Sequence, residues 1–156
     1  MKLSVEARNR LSISAEHFGR ATTYLERLSE HDNASPEYEA LLVASVVSYV
    51  APFTNNERSS APKADPTIHD VVYSNFTPDQ KKLHDKLVRT RHKAVCHAEY
   101  GFYPTGHVGN GVMLSKFFSI VSVFPDPAST AEFADLVKRA HGVAGFLIES
   151  SLKQAP

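Results

Sequence analysis

Thr77-Pro78-Asp79-Gln80 and the run that follows it, through Leu83 and Leu87 to Arg91-His92-Lys93-Ala94-Val95-Cys96-His97, decide how the chain folds. Thr77 is an N-cap residue, Pro78 suits the first helical position and Gln80 completes a capping box, so a helix starts here. From Gln80 to Ala98 the apolar residues Leu83, Leu87, Ala94, Val95 and Ala98 recur at helical spacing and mark one buried stripe. Arg91 lies on that stripe, four residues after Leu87 and four before Val95. An unpaired buried charge costs on the order of several kcal/mol, so Arg91 must be paired, line a cleft or face another subunit. His97 follows about 9 Å further along, at roughly 1.5 Å per residue, rotated to the edge of the stripe.

The pair offers a charged fork that matches phosphate oxygens and an imidazole that exchanges a proton near neutral pH. Phosphodiester cleavage needs both: one group to stabilise charge on the phosphorus, the other as general base or acid. The same residues also fit a plainer arrangement. Arg91 could cap a carbonyl or pair with an acid from another helix, and His97 could sit at a helix C-terminus where the dipole favours its cation.

Around this stretch the charge is local. Seventeen basic residues balance seventeen acidic ones, which excludes a broadly cationic nucleic-acid coat. Between Asp79 and Lys93, however, Lys81, Lys82, Lys86, Arg89, Arg91 and Lys93 face only Asp79 and Asp85. That surplus is either a phosphate-binding patch or a solvated helix face. The chain of 156 residues, with an apolar fraction of 42%, fits one domain spanning residues 1–156. The single cysteine, Cys96, excludes an intrachain disulfide and is read as a packing thiol in a reducing compartment. Met1 to Arg10 meets charge at Glu6, Arg8 and Arg10, unlike a signal peptide, so a cytoplasmic location is expected.

Upstream, Leu3, Ala7, Leu11, Phe18, Ala21, Leu25 and Leu28 form a stripe that predicts a long amphipathic helix from about Lys2 to Ser29. Ser35-Pro36-Glu37 opens a second helix, apolar nearly all round from Ala40 to Phe53 and therefore expected at the centre of a bundle. Its Tyr49 has a polar tip that could reach a site, or a hydroxyl satisfied in the core. From Thr54 to Phe76 the composition predicts a long polar loop with a short ordered piece near Ile68 to Tyr73.

Downstream, the glycines from Gly101 to Gly111 end the Arg91 helix near Tyr100. Asn110-Gly111 then predicts a hairpin turn, with the run Val112 to Phe124 as the returning strand. Neither GxGxxG nor GxxxxGK[ST] occurs, so no phosphate-binding loop is present. Ser129-Thr130-Ala131-Glu132 reads as a capping box opening a last helix to about Lys153, in which Gly142 and Gly145 would admit a neighbouring helix. His84, His92, His97 and His107 raise the question of a metal site. His92 and His97 are five apart and diverge on an α-helix, and no HExxH pattern is present, so no metal and no cofactor are expected.

The expected fold is all-α, a bundle of four to five helices with a small β-hairpin insertion between the last two long helices. This layout, with Arg91, His92 and His97 in an Arg-polar-x-x-x-x-His segment, resembles the HEPN superfamily (higher eukaryotes and prokaryotes nucleotide-binding). Tyr49-Val50-Ala51-Pro52-Phe53-Thr54 followed by a polar loop is also similar to bacterial HEPN-like proteins. The resemblance implies a metal-independent ribonuclease cutting single-stranded RNA as a symmetric homodimer, with Arg and His of both subunits meeting at the interface. On that reading His97 is general acid or base toward the RNA 2′-hydroxyl, Arg91 binds and stabilises the phosphate, and His92 orients. Arg89, Lys93 and Tyr49 would contact substrate. Such proteins act as toxins or in phage defence, commonly with an antitoxin partner, and without a membrane. Cys96 and Glu99 beside His97 match no particular catalytic subgroup. Members that keep the fold without cleaving give the competing expectation, a non-catalytic helical dimer binding RNA, a nucleotide or a protein.

Overall fold

The computed structural model describes residues 3–54, 67–96, 105–108, 112–115 and 119–153. Among the described residues five α-helices carry the fold: α1 (Val5–Arg27), α2 (Pro36–Val50), α3 (Ile68–Val71), α4 (Pro78–Thr90) and α5 (Pro127–Leu152). Short 3₁₀ turns continue α1 at Leu28–Glu30 and α2 at Ala51–Phe53, follow α3 at Tyr73–Asn75, and occupy Ile120–Val123. No described helix is long and apolar enough to cross a membrane.

The helix starts follow from side chains that accept the first free N–H groups. Ser4 accepts from Ala7 N–H at 3.0 Å and Ser35 from Tyr38 N–H at 3.1 Å. Thr77 and Gln80 form the expected capping box, with Gln80 N–H donating to Thr77 Oγ1 at 3.2 Å and Thr77 N–H to Gln80 Oε1 at 3.0 Å. A capping box between Thr67 and Asp70 starts α3 inside the stretch read as a loop, and Asp70 is held below the usual carboxylate range by its hydrogen bonds from Thr67. Residues 55–66 of that stretch lie outside the described residues.

α5 begins earlier than its sequence suggests. Asp126, not Ser129, is the N-cap: Asp126 Oδ1 accepts from Ser129 N–H at 2.7 Å, which makes Ser129 the third helical residue and places Pro127 in the first turn. Proline's fixed φ is already helical, so the earlier of two competing caps prevails.

α1 packs against both α2 and α5, and together they enclose Leu11, Phe18, Ala21, Leu42, Val46, Phe133, Val137 and Ala140. The central place expected of α2 is thus shared with α1, and along α2 Leu41, Val43 and Val47 remain half-buried. Two buried serines are satisfied within their own helices: Ser14 Oγ donates to Arg10 O at 2.7 Å and Ser45 Oγ to Leu41 O at 2.8 Å. No neighbour comes within 4 Å of a Cβ built on Gly142 or Gly145, so the helix approach expected at these glycines does not occur among the described residues.

Between α4 and α5, β1 (Thr105–Val108) pairs antiparallel with β2 (Val112–Ser115), in the register Thr105 to Ser115 and Val108 to Val112. Asn110 and Gly111, the expected turn, lie outside the described residues. Of the expected strand over Val112 to Phe124, Val112–Ser115 forms β2 and residues 116–118 lie outside the described residues. Its second half is the 3₁₀ turn Ile120–Val123, whose Ile120 and Val123, with Phe124, are buried. Two distant charges fix that turn: Glu39 Oε1 accepts from Ile120 N–H at 3.2 Å, and Lys86 Nζ donates to Val123 O at 3.0 Å. An acid at the free N–H end and a cation at the carbonyl end match the dipole of the turn.

Candidate functional site

α4 does not run on as an α-helix to Tyr100. It ends at Thr90 and passes into a π-helical turn, Arg91–Cys96, that packs on α2. The change starts at Arg91, whose backbone N–H is shared between Leu87 O and Val88 O. A π-turn bonds each residue to the fifth rather than the fourth along, so the α-helical stripe loses its register here. The five-residue spacing of His92 and His97 therefore no longer argues that the two diverge. His97 itself lies outside the described residues, as does any distance from it to Arg91.

Arg91 is half-buried, and its Nε is fully enclosed with no hydrogen-bond partner among the described residues. Leaving such a donor unsatisfied costs about 1–3 kcal/mol, more for a charged group. The plainer arrangement, in which Arg91 pairs with an acid of another helix, is not what the described residues form. Of its expected companions, His92 and Arg89 are exposed and Lys93 is half-buried.

The cationic surplus of α4 is smaller in space than in sequence. Lys81 Nζ stands over the Tyr73 ring at 5.3 Å, Lys82 pairs with Asp79 at 2.9 Å, and Lys86 holds the carbonyl of Val123. Those three lysines serve the fold, and toward the C-terminal end of the helix Arg89 remains exposed beside the half-buried Arg91.

Tyr49, expected to contact substrate, is instead wholly enclosed in the core. Its hydroxyl is 2.8 Å from His84 Nδ1. Burial raises the phenol pKa, with Asp85 adding to the effect, so the hydroxyl stays protonated and shares with Nδ1 a hydrogen bond whose direction follows the imidazole tautomer. His84 is 3% exposed, and burial lowers its pKa to about 4 against the opposing pull of Asp85, with His69 adding slightly. The neutral imidazole is walled by rings: Phe53 edge-on at 4.5 Å, Tyr73 at 5.0 Å and Phe76 at 5.8 Å. His69 stacks on the outer side of Tyr73 at 4.4 Å.

His84 was the residue the sequence hid. It sits one turn before Leu87 and two before Arg91 on the same side of α4, a position that reads as one more polar residue of a charged helix. Its place in an aromatic cage excludes it from metal binding, and no group of metal-ligating side chains exists among the described residues. No known family model, curated protein or solved structure matches the chain.

Proposed function

We propose that the chain is a HEPN-type ribonuclease, a helical bundle with a small hairpin insertion before its last helix, acting on single-stranded RNA without a metal. The observation that carries this reading is the enclosed Nε of Arg91, without a partner among the described residues, on a π-helical turn. π-Turns are rare and recur at functional sites, and a guanidinium whose Nε is not committed to an acid of the described residues suits an oxyanion such as a phosphate. Arg91 would bind and stabilise the phosphate, His97 would transfer the proton of the 2′-hydroxyl, and His92 would orient it, with Arg89 and Lys93 along the RNA backbone. A second copy would complete the site with its own Arg and His. A toxin or phage-defence role with an antitoxin partner, and a cytoplasmic setting, belong to the same proposal. The enclosure of Tyr49 takes it out of the substrate-binding set.

The test is cleavage of mixed-sequence single-stranded RNA in the presence of chelator by the native protein and by His97→Ala at matched purity and melting temperature. The expected result is cutting to cyclic phosphate ends by the native protein alone. Equal cutting by both, or by neither, removes catalysis at this site. Retained RNA or nucleotide binding that depends on Arg91 would then identify a non-catalytic binding module, since a guanidinium holds a phosphate with or without a base beside it.

A further inference from the structure

Of the rings that wall His84, Tyr73 is the one least tied to the bundle. Phe53 packs ring to ring against Phe18, Tyr49 and Phe76 at 5.8, 5.6 and 6.4 Å, so it belongs to the core as well as to the cage. Tyr73 is half-buried, and besides His84 its ring meets rings of its own segment alone among the described residues, His69 at 4.4 Å and Phe76 at 5.9 Å. It sits on a single 3₁₀ turn, Tyr73–Asn75. That turn is held by Asn75 N–H on Val72 O at 3.1 Å, Phe76 N–H on Tyr73 O at 3.0 Å and the Asn75 side-chain amide on Val71 O at 2.7 Å, all within the segment. Its one hydrogen bond from another helix among the described residues is the long contact of Arg139 Nη2 with Asn75 O. On either side the chain is anchored, by buried Ile68, Val71 and Val72 before the turn and by buried Phe76 and the Thr77–Gln80 capping box after it. The turn can therefore unwind while its flanking helices stay in place.

The enclosed imidazole makes that motion sensitive to acid. From α2 only the Tyr49 hydroxyl faces it, at 2.8 Å, and Phe53 and Phe76 bring no charge. On α4 itself Asp85 is exposed and Lys81 stands over the Tyr73 ring, the α3 segment adds His69 behind that ring, and α5 reaches no further than Arg139 on Asn75 O. No carboxylate bonds to His84 among the described residues. A proton on the ring thus places a cation among aromatic walls, with two further basic groups, Lys81 and His69, around Tyr73. Water meets that cation only if Tyr73 moves. We propose that the Tyr73–Asn75 turn is a gate over His84 that acid loosens: proton uptake by the imidazole favours an open form in which the turn is unwound, Tyr73 is swung out and the ring is hydrated, with α1, α2 and α5 in place. The closed ring titrates at about 4 and the hydrated one at its ordinary value, so the open form gains population as pH falls through about 6.5 and gains no more below about 4. The gate is independent of the reading of Arg91.

Amide hydrogen exchange of the full chain, read by NMR as protection relative to the unfolded rate in a pH series and in low urea, tests it. The Asn75 and Phe76 amides should be lower in protection than that of core Phe18 by about tenfold or more, and should respond little to urea, because opening one turn exposes little surface. Their protection should fall by about thirtyfold between about pH 7.5 and about pH 5. His84→Asn should abolish that fall, and His69→Gln, which removes the basic group outside the gate, should keep it. Asn75 and Phe76 amides that share the protection and urea response of the core overturn the proposal, since the turn then opens only when the chain unfolds. A protection indifferent to acid in the native chain, a fall that persists in His84→Asn or one that vanishes in His69→Gln overturns it as well. Should His84→Asn fail to fold, the native chain and His69→Gln carry the decision.

Discussion

His84 and Arg91 occupy the same side of one helix, two turns apart, and have opposite fates. The imidazole has a hydroxyl partner at 2.8 Å, rings around it and a pKa moved so far down that it stays neutral. The guanidinium is also enclosed at Nε and has no partner there among the described residues. A buried polar group that is satisfied belongs to the fold, and one left unsatisfied is destabilising unless something outside the chain completes it. That contrast, rather than the residue types, separates a core histidine from a candidate binding arginine.

The largest effect should come from His84→Ala, which empties the ring's place beside Phe53 and Tyr73 and strands the Tyr49 hydroxyl. Chemical denaturation should show a loss of about 2–4 kcal/mol, and a loss below about 1 kcal/mol would mean the cage is not part of the core. Acid comes next. The folded His84 stays neutral down to a pKa of about 4, while the unfolded residue takes up its proton near pH 6.5. Protons therefore favour the unfolded chain between those values: stability is full above the unfolded pKa, falls as pH drops toward about 4, and loses no more from this group below that. The full loss is about 3 kcal/mol. A denaturation series in pH on native protein and His84→Asn should show this slope in the native protein only.

How much of this was open to sequence reading differed by kind of signal. The caps at Ser35 and Thr77 were legible because capping depends on residues within one turn. Arg91 was legible because a charge interrupts a periodic stripe. His84 was not, since a histidine beside lysines looks solvated until Tyr49, thirty-five residues away, is seen to meet it. The end of the Val112 to Phe124 run was hidden for a similar reason. Its apolar content announces burial, but Glu39 and Lys86, far off in sequence, turn its second half into a 3₁₀ turn rather than a strand. The start of α5 was misplaced because two caps stand three residues apart and only proline's geometry separates them.

A smaller effect sharpens the comparison on the His84 side. Tyr49→Phe keeps the ring in the core and removes only the hydroxyl, leaving Nδ1 without its hydrogen-bond partner. The expected loss is about 1–2 kcal/mol by thermal or chemical denaturation. It should be accompanied by a His84 pKa that NMR titration finds still well below the usual histidine range, because burial is the main cause of the shift. A pKa returned to the ordinary value would transfer the cause to the hydroxyl.

The smallest change in stability is expected at Arg91, and it should have the opposite sign. Arg91→Met retains most of the side chain's length and removes the unsatisfied donor, so melting temperature and denaturation midpoint should hold or rise, by at most about 1 kcal/mol.

The most direct single test follows from that variant: RNA cleavage and binding by Arg91→Met, in chelator, beside its melting curve. The account predicts a protein at least as stable as the native one that neither cuts nor retains single-stranded RNA. A variant that unfolds early as His84→Ala does, or one that handles RNA as the native protein does, would contradict it and return Arg91 to the fold.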